Sequence, residues 1–201
     1  NQAVYALLEM SRETAEQVLH NEERLNQMEV AIDHQIISTI GRRQPTARDL
    51  RFLMAISRTT QNLERAGDEI ARIARMVQSI IDGGSPRSLP SQELRLAADL
   101  AVGMLRKTLD AFARLDVSMA VAIMKEDNAV DAEYDGFLRK LITYMMEDPR
   151  TISLSLNLLF LAKAIERVGD HAKNIAEQII FIVMGEDVRH SSLDQVESVV
   201  R

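Results

Sequence analysis

Ile165-Glu166-Arg167-Val168-Gly169-Asp170-His171-Ala172-Lys173-Asn174-Ile175-Ala176-Glu177 decides how this chain is read. An echo of it stands earlier, as Leu63-Glu64-Arg65-Ala66-Gly67-Asp68-Glu69-Ile70-Ala71. Both copies contain Glu-Arg-X-Gly-Asp, and the two glutamates lie 102 positions apart (166 minus 64) in 201 residues. A repeat at half the chain length points to two similar domains rather than to a short-period solenoid.

Each copy sits within a long helical pattern. Leu53, Ile56, Leu63, Ile70, Ile73, Val77 and Ile80 fall at helical spacing around the first. Leu158, Leu161, Ile165, Ala172, Ile175 and Ile179 do so around the second. At i, i+4 the pairs Glu64 with Asp68, and Glu166 with Asp170, project from one face beside the apolar stripe. Carboxylates at that spacing repel, so a cation nearby would help. Gly67 and Gly169 lie inside helices, where glycine costs about 1 kcal/mol against alanine. A cost repeated at the same place suggests close helix approach or backbone access for a ligand.

Outward from the motifs, helical segments alternate with turn signals. Asn1–Glu9 reads as the tail of a helix. Ser11 caps a second running to about Ile40, and Gly41 to Thr46 ends it. Thr46 to about Asp82 is a third. The Gly/Pro-rich stretch Gly83 to Pro90 is a break, from which we place a first bundle at 1–84 and a linker at 85–90. A second bundle at 91–185 repeats the pattern. Ser91 to about Leu115 comes first, then a helix starting at Asp116 or Ser118 and reaching Glu147. After the turn at Asp148-Pro149, a helix from Ile152 or Ser153 runs to Met184 and is stopped by Gly185. Residues 186–201 read as a polar tail with a short helix near Leu193–Val200. Overlaying the halves leaves the first short of roughly twenty residues of its first helix, so the native protein is expected to extend upstream of Asn1. The expected fold is all-α, two tandem three-helix bundles, the first truncated at its start.

The helix preceding each motif carries a second acidic row. In the second half this is Asp127 and Asp131, in the first Glu22 with Asn26 in place of a carboxylate. Antiparallel packing across the short turns lets the rows face each other, giving oxygen-only sites suited to Mg²⁺, Ca²⁺, Mn²⁺ or iron. The plainer alternative is solvated carboxylates without metal. His171 adjoins Asp170 and could serve as a ligand, but is read first as a surface histidine. Met28, Met54, Met76, Met104, Met119, Met124, Met145, Met146 and Met184 mostly fit apolar stripes and read as core. There is no cysteine, which excludes disulfides and thiolate sites and suits a reducing compartment. A net charge of −6 argues against nonspecific nucleic-acid binding. The most apolar run, Ile152 to Phe160, is too short to span a bilayer. No phosphate loop or nucleophile elbow occurs. The Glu-X-X-His ligands of di-iron bundles are also missing, which counts against the alternative of a carboxylate metalloenzyme.

Taken together, Glu166 to Glu177, its echo, Leu141-Ile142-Thr143-Tyr144-Met145-Met146-Glu147-Asp148-Pro149-Arg150-Thr151, Met28 to Asp33 and Arg43-Gln44-Pro45-Thr46 resemble the PhoU family over nearly the whole chain. The resemblance implies two three-helix bundles and a non-catalytic, cytoplasmic regulator, often a dimer. It implies partners too, the ATPase of a Pst phosphate ABC transporter and a PhoR-type sensor histidine kinase, with the Pho regulon held off and uptake restrained in high phosphate. Contact with the membrane would run through those partners. It further implies iron, zinc or magnesium at the carboxylate motifs, mapped here onto Glu64 and Asp68, Glu166 and Asp170, Asp127 and Asp131, and Glu22. Asn26 departs from that pattern.

Overall fold

The computed structural model describes residues 1–83 and 91–200. Among these residues every regular element is helical. The elements are α1 (Gln2–Leu8), α2 (Arg12–Arg43), α3 (Ala47–Asp82), α4 (Ser91–Arg114), α5 (Val117–Glu147), α6 (Ile152–Met184) and α7 (Leu193–Val200). The linker placed at 85–90, and Gly84 before it, lie outside the described residues.

The boundaries follow local chemistry. Ser11 Oγ accepts from the Thr14 amide at 3.2 Å and starts α2. Asp116 does the same for α5, accepting from Met119 N at 2.9 Å. Pro45 keeps Gln44 out of the helical region, and Gln44 turns left-handed with φ 46° to end α2 three residues beyond the expected Ile40. Between α5 and α6, Asp148 Oδ1 accepts from Arg150 N at 3.0 Å over a single 3₁₀ turn, Pro149–Thr151. Gly185, at φ 84°, closes α6 in the left-handed conformation that glycine adopts at no steric cost.

α2 with α3, and α5 with α6, are antiparallel hairpins, and the motif helices α3 and α6 then lie antiparallel against each other. Arg167 meets Glu69, while Asn174 and His171 both meet Asn62. Farther along, Arg51 stands beside Gly185. The two hairpin tips therefore point to opposite ends of the molecule.

Two apolar clusters hold this together. The larger draws Ala3 and Leu7 from α1, Val18 from α2, Val77 from α3, Leu94 from α4, Phe137 from α5 and Leu161 from α6. It crosses from one repeat into the other. The smaller joins Met104 of α4, Ile123 and Val130 of α5 and Ile179 of α6 to Val188 and Val196. The stretch read as a polar tail is thus packed. Gln195 Oε1 accepts from Ser192 N at 2.9 Å to cap α7, which buries Val196 against the second cluster. The methionines differ from expectation as well. Met104 and Met124 are buried, but Met28, Met54, Met119, Met146 and Met184 face outward.

Both motif glycines answer to helix approach. A Cβ on Gly67 would lie 2.3 Å from Leu25 Cδ2, and one on Gly169 would lie 3.3 Å from Val130 Cγ1. Leu25 and Val130 sit at matching places in the two halves, each between the residues of its own acidic row. The glycines let α2 onto α3 and α5 onto α6, and so bring the acidic rows face to face.

Candidate metal centre

In the second repeat the rows converge. Asp127 and Asp131, one turn apart on α5, meet Asp170 on α6, with one oxygen of each within 4.8 Å of the others. Asp127 is 2% exposed, Asp170 half-buried and Asp131 exposed, so the cluster opens to solvent along one side. Glu166 completes the row from the buried side. Its Oε1 accepts from Lys163 Nζ at 2.6 Å, while Oε2 is buried with no hydrogen-bond partner.

Electrostatics reflect the crowding. Burial, then the neighbouring Asp127, lift the Asp170 carboxyl above its ordinary range. Asp131 is raised by burial and by Asp127 and Asp170. Glu166 is raised by burial first, with Asp170 and Asp131 adding to it against the Lys163 hydrogen bond. Two ammonium groups offset part of this charge, Lys163 on Glu166 and Lys173 on Asp127 at 2.7 Å.

The first repeat is looser. Burial, followed by the nearby Asp68, Glu29 and Glu22, raises the Glu64 carboxyl above its ordinary value. Asn26, which stands where the second repeat has Asp131, donates its amide to Glu22 Oε1 at 2.8 Å. Among the described residues, the three aspartates of the second repeat alone come within ligand-sharing distance.

An oxygen-only donor set fits a hard divalent cation or iron. The orphaned, buried Oε2 of Glu166 beside the aspartates fits a cation as well, because a buried carboxylate oxygen without a partner is otherwise costly. Asp127, Asp131 and Asp170 are the residues that would hold one, with Glu166 one turn before Asp170 on α6.

His171 is not the surface histidine expected. It is half-buried between the motif helices, with Nδ1 3.2 Å from Asn62 Oδ1, and Asn174 Nδ2 donates to the same oxygen at 3.1 Å. Burial, with Arg65 and Arg167 close by, lowers its pKa. Sequence reasoning also passed over Glu69, Lys173 and Glu177. Glu69, 5% exposed, accepts from Arg72 at 2.9 Å and from Arg167 at 3.0 Å across the repeats. The signal available was position, since Glu69 and His171 occupy equivalent places in the two motifs.

The comparisons with known proteins agree with this architecture. The model of the PhoU domain matches twice, over residues 1–77 and 94–179. The chain belongs to the PhoU family. It is 43% identical over 201 residues to a phosphate-specific transport system accessory protein PhoU homolog of Pseudomonas aeruginosa, covering 100% of this chain and 82% of the relative. It is 42% identical over 198 residues to the accessory protein PhoU of Escherichia coli strain K12, covering 98% and 81%. The crystal structure of PhoU from P. aeruginosa superposes with a TM-score of 0.87 over 92% of this chain and 88% of that one, at 43% identity. The phosphate transport system regulatory protein PhoU from Streptococcus pneumoniae superposes at 0.85 over 93% and 87%, with 28% identity. These relatives are named as accessory and regulatory proteins, not as enzymes. Among the described residues no helix is long and apolar enough to cross a membrane.

Proposed function

We propose that this member of the PhoU family is an accessory protein of phosphate transport, acting as a regulatory adaptor. It works in the cytoplasm as a homodimer, between the ATPase subunit of a Pst-type phosphate ABC transporter and a PhoR-type sensor histidine kinase. When phosphate is plentiful it biases the kinase toward its phosphatase state, keeps the Pho regulon repressed and restrains uptake. Such a bias requires only that it bind one kinase state more tightly than the other. The observation that carries the reading is the match of both halves to the PhoU domain, with relatives over 40% identical that carry the transport-accessory name.

The adaptor's metal centre is Asp127, Asp131, Glu166 and Asp170. A bound Mg²⁺, Mn²⁺ or iron ion would supply charge neutralisation and a bridge between α5 and α6. Asp127 and Asp131 present oxygens from one helix and Asp170 from the other, Glu166 stands one turn before Asp170, and Gly169 keeps the two helices close. Glu22, Glu64 and Asp68 form the weaker counterpart in the first repeat. The test is genetic. Deleting the gene should make phosphate-starvation genes constitutive at high phosphate, and re-expression should restore repression. Normal repression in the deletion strain would overturn the reading.

A further inference from the structure

We propose that Lys173 is a built-in competitor for the cation site, a counter-ion that holds the metal-free cluster together and lets go of Asp127 when a metal binds. The proposal rests on the metal centre assigned above, but concerns a residue outside the carboxylate motif.

Lys173 follows Asp170 by three residues on α6, and so shares its face. Its Nζ lies 2.7 Å from Oδ2 of Asp127, the most deeply buried of the three aspartates. Burial works against the ammonium, yet the hydrogen bond to Asp127 leaves its pKa raised. An ammonium is a compact point charge, unlike the planar fork of arginine. Arginine dominates this chain's basic residues, with lysine contributing five of the 24, yet both cations bonded to the cluster's carboxylates are lysines. The equivalents of Lys163 and Lys173 in the first repeat are Gln61 and Ala71, so the ammonium groups belong to the second repeat alone. A metal ion and Lys173 would draw on the same buried carboxylate, and two cations there repel.

The displaced lysine also has a destination. Glu177 is one turn further along α6 and 8% exposed. It lines, with Lys173 and Asp170, an open cleft of about 550 Å³. At i, i+4 on one helix face, the Glu177 carboxylate is within reach of the Lys173 ammonium. Metal binding then changes which acid Lys173 neutralises, from a group on α5 to one on its own helix.

The experiment is Mn²⁺ titration calorimetry on metal-stripped full chain, comparing wild type with Lys173→Met, Lys173→Gln, Lys173→Arg and Asp170→Asn. Removing one charge this close to a divalent ion should tighten binding on the order of tenfold or more in the Met and Gln variants. Lys173→Arg, which keeps the positive charge, should bind Mn²⁺ no tighter than wild type, and Asp170→Asn should lose binding. Without metal, Lys173→Met should melt lower than wild type, and saturating Mn²⁺ should raise its melting temperature by more. Equal or weaker Mn²⁺ binding by the folded Met or Gln variant, with Asp170→Asn still defective, would overturn the role of Lys173 and leave the metal centre standing. No Mn²⁺ binding by any of the proteins would overturn both.

Discussion

A Cβ on Gly169 would stand 3.3 Å from Cγ1 of Val130, and that closeness is what lets the acidic rows of α5 and α6 share one site. Val130 is 2% exposed and β-branched, so in a helix it has one strongly preferred rotamer and no room to turn. Its counterpart Leu25 is partly exposed, and only the tip of its side chain opposes Gly67. Alanine gains about 1 kcal/mol of helix propensity at either glycine, whereas overpacking costs about 1–3 kcal/mol where nothing yields. Gly169→Ala should therefore destabilise the protein by about 1 kcal/mol, and Gly67→Ala by clearly less. Urea denaturation of both variants, with Val130→Ala as the rescuing partner of Gly169→Ala, measures this. Equal effects would contradict the difference between the two contacts.

Asp170 offers a second prediction. Its carboxyl is raised by burial and by Asp127, so its folded-state value lies above the unfolded one. The ionised group therefore costs stability, which declines as pH rises from the unfolded value through the folded one. Asp170→Asn should melt higher than wild type when both are metal-free at neutral pH. Mn²⁺ should reverse the order, because at a hundred times its dissociation constant a ligand adds about 2.7 kcal/mol to the protein that binds it. Differential scanning calorimetry with and without the ion checks both halves. A variant that still responds to Mn²⁺ would remove Asp170 from the site.

The fold was legible because its signals were local and repeated. Glu-Arg-X-Gly-Asp recurred at half the chain length, and Ser11, Asp116 and Gly185 carried the cap chemistry found at those places. The convergence of Asp127, Asp131 and Asp170 followed from helix spacing and a short turn. What stayed hidden depended on how the repeats meet. His171 reads as a surface residue until α3 brings Asn62 against it, and Glu69 is one more helix glutamate until Arg167 arrives from 98 residues away. Val188 and Val196 look isolated in a polar stretch, and only the groove beside α5 makes them core. No periodicity within one helix encodes those contacts.

Glu69 holds two arginines, Arg72 on its own helix and Arg167 on α6, and the second bond joins the repeats. Both guanidinium groups are about half exposed, so water screens them and can solvate them once released. Glu69→Gln should cost about 1 kcal/mol at neutral pH, and Arg167→Ala less, because Arg72 still satisfies the buried acid. The two substitutions should be non-additive, since they share one contact. A double-mutant cycle by urea denaturation reads the coupling, and strict additivity would mean that the cross-repeat bond contributes nothing.

Glu177 ties stability to pH in the physiological range. Burial first, and Asp187 and Asp127 with it, push its carboxyl from an ordinary 4.5 up to about 7, against the opposing pull of Lys173 and Arg189. Between those two values the folded protein keeps a proton that the unfolded chain has released. Stability from this group is therefore greatest below pH 4.5 and is lost as pH rises toward 7. Above 7 the folded state carries a buried anion at a cost of about 3 kcal/mol. Glu177→Gln removes the titration. The stability gained over wild type should be small near pH 5, grow through pH 6 and level off above pH 7. Chemical denaturation of both proteins from pH 5 to 8 gives the difference directly, and parallel curves would mean that Glu177 is already ionised at acid pH and held by Lys173.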